Sequence, residues 1–188
     1  MSIYQKFFIP VLCLTPLVAC SESSDDGDGN GGGETCPHDY SKYTAPAEPV
    51  SLRDDLLKAG GTLRFSCSFN TTCHGNETRN QASLYLGTSG NDALTETQID
   101  LVYGHLVNKP SQAAPTIPLV VPGKPEDSFL MMKLDGCLDE RSEQCEGTSS
   151  NITEHACGSL MPEGNTKPLP KQERDLIRAW IKQGAQKN

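Results

Sequence analysis

The chain has 188 residues, of which 36% are hydrophobic and only 6% aromatic, with one Trp and a formal net charge of −8. That is enough for one domain of ordinary size around a modest core. Acidity without a basic stripe argues against a nucleic-acid partner, because phosphate binding needs clustered Lys and Arg.

Residues 1–19 read as a signal peptide. Lys6 charges a short n-region, and Phe7, Phe8, Ile9, Val11, Leu12, Leu14, Leu17 and Val18 form the apolar stretch. A membrane-spanning helix needs about 20 apolar residues, so this run is too short, and Pro10 and Pro16 interrupt it. It ends in Leu17-Val18-Ala19-Cys20, which resembles the bacterial lipobox. The resemblance implies cleavage before Cys20 and lipid attachment through its sulfur. Cleavage removes Lys6 and no acid, so the mature chain is one unit more negative. Residues 20–50 are expected to be the lipidated Cys and a flexible acidic linker. Ser21 to Glu34 contains no apolar side chain, so nothing offsets the entropy of ordering it.

Residues 51–188 are expected to form the folded domain. Ser51 can cap a helix through Leu56, Leu57 and Lys58, with Asp54 and Asp55 in its first turn and Gly60-Gly61 ending it. Cys67 to Gly75 is polar and loop-like. Thr95 to Leu106 predicts a second helix, with Ile99, Val102 and Leu106 on one side and Pro110 beyond its end. Pro115 to Pro125 is expected to be extended, and Ser128 to Leu134 a short helix. Cys137 to Cys157 is polar and loop-like. Pro170 to Gln183 is the strongest helix, with Leu176, Ile177, Trp180 and Ile181 in one apolar stripe and Gly184 as its stop. The pattern is mainly α with long loops, and such loops usually surround a cofactor or carry staples.

Six cysteines lie beyond Cys20: Cys36, Cys67, Cys73, Cys137, Cys145 and Cys157. Export places them where disulfides persist. Three disulfides would use all six, and so would two disulfides with two thioether-forming cysteines. Cys36, Cys137, Cys145 and Cys157 are the disulfide candidates. The simplest closure of the polar loop is Cys137–Cys145, with Cys157 bridged elsewhere.

The sharpest local feature is Cys67-Ser68-Phe69-Asn70-Thr71-Thr72-Cys73-His74-Gly75. Covalent haem attachment ordinarily uses C-x-x-C-H, in which two thiols join the porphyrin and the adjacent His lies under the iron. Here five residues separate the cysteines instead of two. A longer loop can bulge and still deliver both sulfurs, or it can leave one thioether or none. Met161-Pro162 lies upstream of the closing helix, and a Met thioether is a soft iron ligand. A Met-Pro pair alone is equally at home on a surface or in a core.

These segments occur in the order Phe65 to Gly75, Val120-Val121-Pro122-Gly123-Lys124-Pro125 continuing through Phe129-Leu130-Met131-Met132-Lys133-Leu134, Met161-Pro162-Glu163-Gly164, and Leu169 with Ile177-Arg178-Ala179-Trp180-Ile181-Lys182-Gln183-Gly184-Ala185. That order resembles the exported cytochrome c domains, including the planctomycete-type ones, over about residues 52 to 185. The resemblance implies a cytochrome c-like helical domain with haem c. Cys67 and Cys73 would be its attachment points, His74 the proximal iron ligand and Met161 the distal one. It also implies that the first helix, through Leu56 and Leu57, crosses the last at Leu176 and Trp180. Met131, Met132, His105 and His155 compete for the distal role. With His and Met both on the iron no site stays open for substrate, so electron transfer with a redox-protein partner is implied rather than enzymatic turnover.

The alternative is a haem-free binding or scaffolding lipoprotein of the same fold, with Cys67 and Cys73 joined as a disulfide. A zinc site fits poorly, since export permits disulfides and no paired C-x-x-C is present. No G-x-S-x-G elbow suggests a hydrolase. Ser21 after the lipid Cys resembles outer-membrane sorting, so the expected location is the cell envelope, on the periplasm-facing outer membrane. Cys20→Ala is expected to leave an unlipidated precursor with its signal peptide attached. Metabolic labelling with a tagged fatty acid checks this, and equal label in wild type and variant would refute it.

Overall fold

The computed structural model describes residues 39–40, 43–69, 72–146, 157–163 and 167–188. The signal segment, Cys20, most of the acidic linker, Cys36 and His155 lie outside them. The described chain is mainly helical, as the sequence predicts. Among the described residues, β pairing is limited to two isolated bridges, Val107 with Val120 and Pro110 with Pro118.

Ser51 starts the first helical segment. Its hydroxyl accepts from the Asp54 amide at 3.0 Å, and its own amide donates to the Asp55 carboxylate at 2.8 Å. Leu52–Leu56 is a π-helical turn, closed by the Leu57 amide on the Leu52 carbonyl at 2.9 Å. The next turn follows at once, with Gly61 pressed against the first. A Cβ there would lie 2.6 Å from the Leu56 carbonyl oxygen, so only glycine fits. Leu63–Cys67 is then a second π-helical segment, where the sequence reading begins a loop at Cys67.

Helix α1, Glu96–Leu106, starts with Thr95 and Gln98 in a reciprocal capping box. It buries Ile99, Val102 and Leu106, the predicted stripe. The segment from Val121 to Ser128 is a turn fastened by one hydroxyl. Ser128 Oγ donates to the Lys124 carbonyl at 2.8 Å and accepts from the Val121 amide at 2.9 Å. Gly123 donates its amide to the Ile181 carbonyl at 2.7 Å, tying this turn to the end of the last helix.

Helix α2, Phe129–Asp135, is short and nearly all buried. Leu130, Met131 and Leu134 join the main core, while Phe129 and Met132 pack in a smaller cluster with Ala114, Ile117, Leu138 and Cys157. Gly136 ends it in the left-handed region, at φ +77°, and its amide bonds to the Met132 carbonyl. Helix α3 spans Lys171–Lys182 and buries Ile177, Ala179, Trp180 and Ile181. Leu52–Leu56 packs on α3, and Leu56, Leu57, Ile177 and Trp180 share one core.

The disulfide pairing differs from the simplest expectation. Cys145 bonds to Cys157, with their Cα atoms 5.0 Å apart, instead of to Cys137. Cys137 is disulfide-bonded too. The reason lies in packing: Cys137 is buried at the end of α2, whereas Cys145 and Cys157 come together at the smaller cluster.

Packed structure also begins upstream of Ser51. Tyr40 and Tyr43 both place their rings near the Arg178 guanidinium, with centroids 5.4 and 5.5 Å from it. The Tyr40 hydroxyl donates to Asp135 Oδ2 at 2.9 Å, and the Val50 amide donates to the Gln183 side chain at 2.8 Å. Asp135 Oδ1 accepts from both Arg174 Nη1 and Arg178 Nη2 at 2.7 Å. Arg178 also pairs with Asp175. Burial works against the Arg178 charge, and Asp135, with Tyr40 and Asp175, together more than offset it. Burial and the neighbouring Asp135 raise the Tyr40 hydroxyl above its ordinary range, so it stays a donor.

Asp135→Ala would leave two buried guanidinium groups without that carboxylate. The expected cost is about 3–5 kcal/mol, the range for removing one partner of a buried ion pair. It is read as a fall in the urea midpoint at constant slope. Glu96→Ala, which breaks the exposed pair with Arg53, should lower the midpoint far less. Equal losses in the two variants would refute a structural role for the buried carboxylate.

Candidate functional site

The chain from Leu63 to Leu86 folds back on itself through its own backbone. The His74 amide donates to the Cys67 carbonyl at 3.2 Å, which closes the cysteine loop. The Gln81 amide then donates to the Cys73 carbonyl at 3.2 Å, and the Leu86 amide to the His74 carbonyl at 2.9 Å. Residues Gln81 to Leu86 are thereby laid alongside Cys73 and His74. Leu84, Tyr85 and Leu86 are buried, which anchors that segment in the core.

His74 is itself buried, with 8% of its surface exposed. Its Nδ1–H donates to the Leu84 carbonyl at 2.9 Å. In that tautomer Nε2 carries the lone pair, the arrangement by which metal-binding histidines are usually held. Burial lowers the imidazole's pKa, and the Leu84 and Gln81 carbonyls only partly oppose this, so the ring is neutral at pH 7.

A cavity of about 560 Å³ opens beside this loop. Cys67, Cys73, His74, Leu84 and Leu86 line one part of it. Leu119 and α2 side chains Phe129, Leu130, Lys133 and Leu134 line another, and Met161, Pro162, Glu163 and Leu169 complete it. The wall is mostly apolar with a few polar groups, and the volume falls within the roughly 300–1,000 Å³ of small-molecule and cofactor sites. Phe65 and Phe69 also line the cavity while remaining 63% and 70% exposed.

All four residues singled out as cofactor ligands, Cys67, Cys73, His74 and Met161, therefore face one space. Met161 is fixed through its backbone: its amide donates to the Lys133 carbonyl at 3.0 Å. Among the described competing ligands, Met131, Met132 and His105 do not line this cavity. Met131 lies in the main core and Met132 in the smaller cluster. His105 Nδ1 accepts from the Tyr85 amide at 3.3 Å.

Cys67 and Cys73 are not joined to each other. Cys67 is buried and Cys73 half-buried. Burial, then the neighbouring Cys73 and Glu173, pushes the Cys67 thiol up to about 12. Among the described residues, no three His, Cys, Asp or Glu side chains converge as a metal-ion site. A porphyrin does not need such a group, because it brings its own nitrogens.

Lys133 is the wall residue that sequence reasoning missed. Its signal was the lone charge in the apolar run Phe129-Leu130-Met131-Met132-Lys133-Leu134. Its Nζ donates to the Cys157 carbonyl at 3.0 Å and lies 5.9 Å from the centre of the Phe129 ring. Burial lowers its pKa to about 8, against the pull of Glu163, so it is still mainly a cation at pH 7.

No protein-family model matches this chain, and neither a curated protein nor a solved structure matches it.

In protein produced without cofactor, brief alkylation near neutral pH should mark Cys73 well before Cys67, because thiolate is the reacting form. Cys145 and Cys157 should react only after reduction. Peptide masses over a time course check both statements. Labelling of Cys145 or Cys157 without reductant would rule out their bridge.

Proposed function

We propose that this chain is a lipid-anchored c-type cytochrome, carrying electrons outside the cytoplasm to or from a redox-protein partner. One observation supports the reading above the others: Cys67, Cys73, His74 and Met161, chosen from sequence motifs more than 90 residues apart at the extremes, line a single apolar cavity. The donor set fits haem c. Cys67 and Cys73 supply thiols that can add across the two vinyl groups to form thioethers. His74 supplies a neutral imidazole whose orientation is fixed by the Leu84 carbonyl. Met161 supplies a soft sulfur held to α2 through its amide. Bound there, a haem supplies reversible one-electron chemistry. The chain's part would be to exclude water with Leu84, Leu130, Leu134 and Leu169, to hold the group through His74 and Met161, and to present the exposed rings of Phe65 and Phe69 to a partner.

Anchoring rests on the Leu17-Val18-Ala19-Cys20 sequence and the polar linker after it. No helix among the described residues is long and apolar enough to cross a membrane. The thiol state of Cys67 and Cys73 favours attachment over the haem-free scaffold, whose Cys67–Cys73 disulfide is absent.

Export of the chain beside a c-type maturation system should give a red protein whose haem stays bound after denaturation. His74→Ala should abolish stable holoprotein. Met161→Ala should keep the covalent haem but lower its potential, since a Met ligand raises it. The checks are a haemochrome spectrum of the denatured protein and the mass of the Cys67–Cys73 peptide. A colourless product made beside a control cytochrome that matures normally would overturn the proposal and leave the scaffold.

A further inference from the structure

We propose that Lys133 is an anchor for a carboxylate carried by the cavity's ligand, so that the site selects an apolar molecule with an acidic edge. The inference deepens the haem reading, because haem carries two propionates, but the same recognition would serve a long-chain fatty acid. It stands on what surrounds the amine. Lys133 belongs to α2 and lines the cavity beside Phe129, Leu130 and Leu134. It is the one ammonium among the described lining residues. An ammonium has three donors, and the Cys157 carbonyl takes one of them. Among the described residues no carboxylate forms an ion pair with it. Glu163, exposed at the same cavity, acts on it only at longer range. The remaining polar side chains of the wall, such as Ser111 and Gln112, are neutral.

A half-buried cation in an apolar wall, with donors to spare, is favoured by any ligand that brings an anion to it. A ligand's carboxylate would also fix its orientation. Cys67 ends the π-helical segment Leu63–Cys67, Cys73 lies just before His74, and Lys133 belongs to α2, so the two kinds of attachment come from different elements.

The test uses metal-free protoporphyrin IX, its dimethyl ester and palmitate, titrated by calorimetry into the full mature chain purified without haem. Iron ligation plays no part in any of these. Lys133→Met should weaken binding of protoporphyrin IX about tenfold, the size of one partly exposed charge-assisted hydrogen bond. The same variant should bind the dimethyl ester as wild type does, which a merely structural loss would not allow. Lys133→Arg should restore the acid's affinity to within about twofold, and circular dichroism confirms that each variant folds. Palmitate binding that depends on Lys133, with no porphyrin binding, would keep the carboxylate anchor and count against haem. Equal loss for acid and ester, no loss in Lys133→Met, or no binding by any of the three probes would overturn the inference. The haemochrome measurement judges the haem reading separately.

Discussion

The Asp135 carboxylate sits where three stretches of chain meet. One oxygen takes a hydrogen bond from Tyr40 in the segment before the first helical turn, and the other takes one each from Arg174 and Arg178 on α3. Asp135 is itself the last residue of α2. The charge is taken out of water on all sides, and such a group is tolerated only when its partners are well placed. That constraint fixes the relative position of α2 and α3. Because α2 carries Leu130, Lys133 and Leu134 into the cavity wall, it also fixes one side of the candidate site. The cavity thus depends on an ion cluster that does not line it.

The helices were legible where periodicity was long enough to speak. α1 and α3 lie within about a residue of their predicted limits, and Ile99, Val102, Leu106, Ile177, Trp180 and Ile181 are buried as the stripes require. The π-helical turn at Leu63–Cys67 was not legible, because five residues cannot display a period. The buried arginines of α3 were hidden for another reason. Arg174 and Arg178 lie four residues apart beside the apolar stripe, and their counter-charge, Asp135, is some 40 residues away in sequence. The disulfide was mispaired by the same kind of blindness: sequence gives the spacing of Cys137, Cys145 and Cys157, while the fold decides which two meet.

The candidate site was more legible than the packing that builds it. Cys67, Cys73, His74 and Met161 were each marked by local chemistry, and the cavity joins them. What motif reading could not supply was the support. The carbonyl of Leu84 that orients His74, and the segment Gln81 to Leu86 that delivers it, carry no motif, because a backbone oxygen leaves no trace in residue type. Lys133 was visible as a letter and not as a role, since nothing in the sequence says which face of a two-turn helix turns inward.

The Met161 amide bonds to the carbonyl of Lys133, two residues before the last residue of α2. That carbonyl lies in the final turn, where helical oxygens lack partners within the helix. One hydrogen bond therefore serves two purposes, finishing a helix end and fixing a residue four positions beyond the disulfide. Opening of that one bond exposes the Met161 amide and an end-of-helix carbonyl together, so amide exchange at residue 161 reports how firmly the cavity's Met segment is seated on α2.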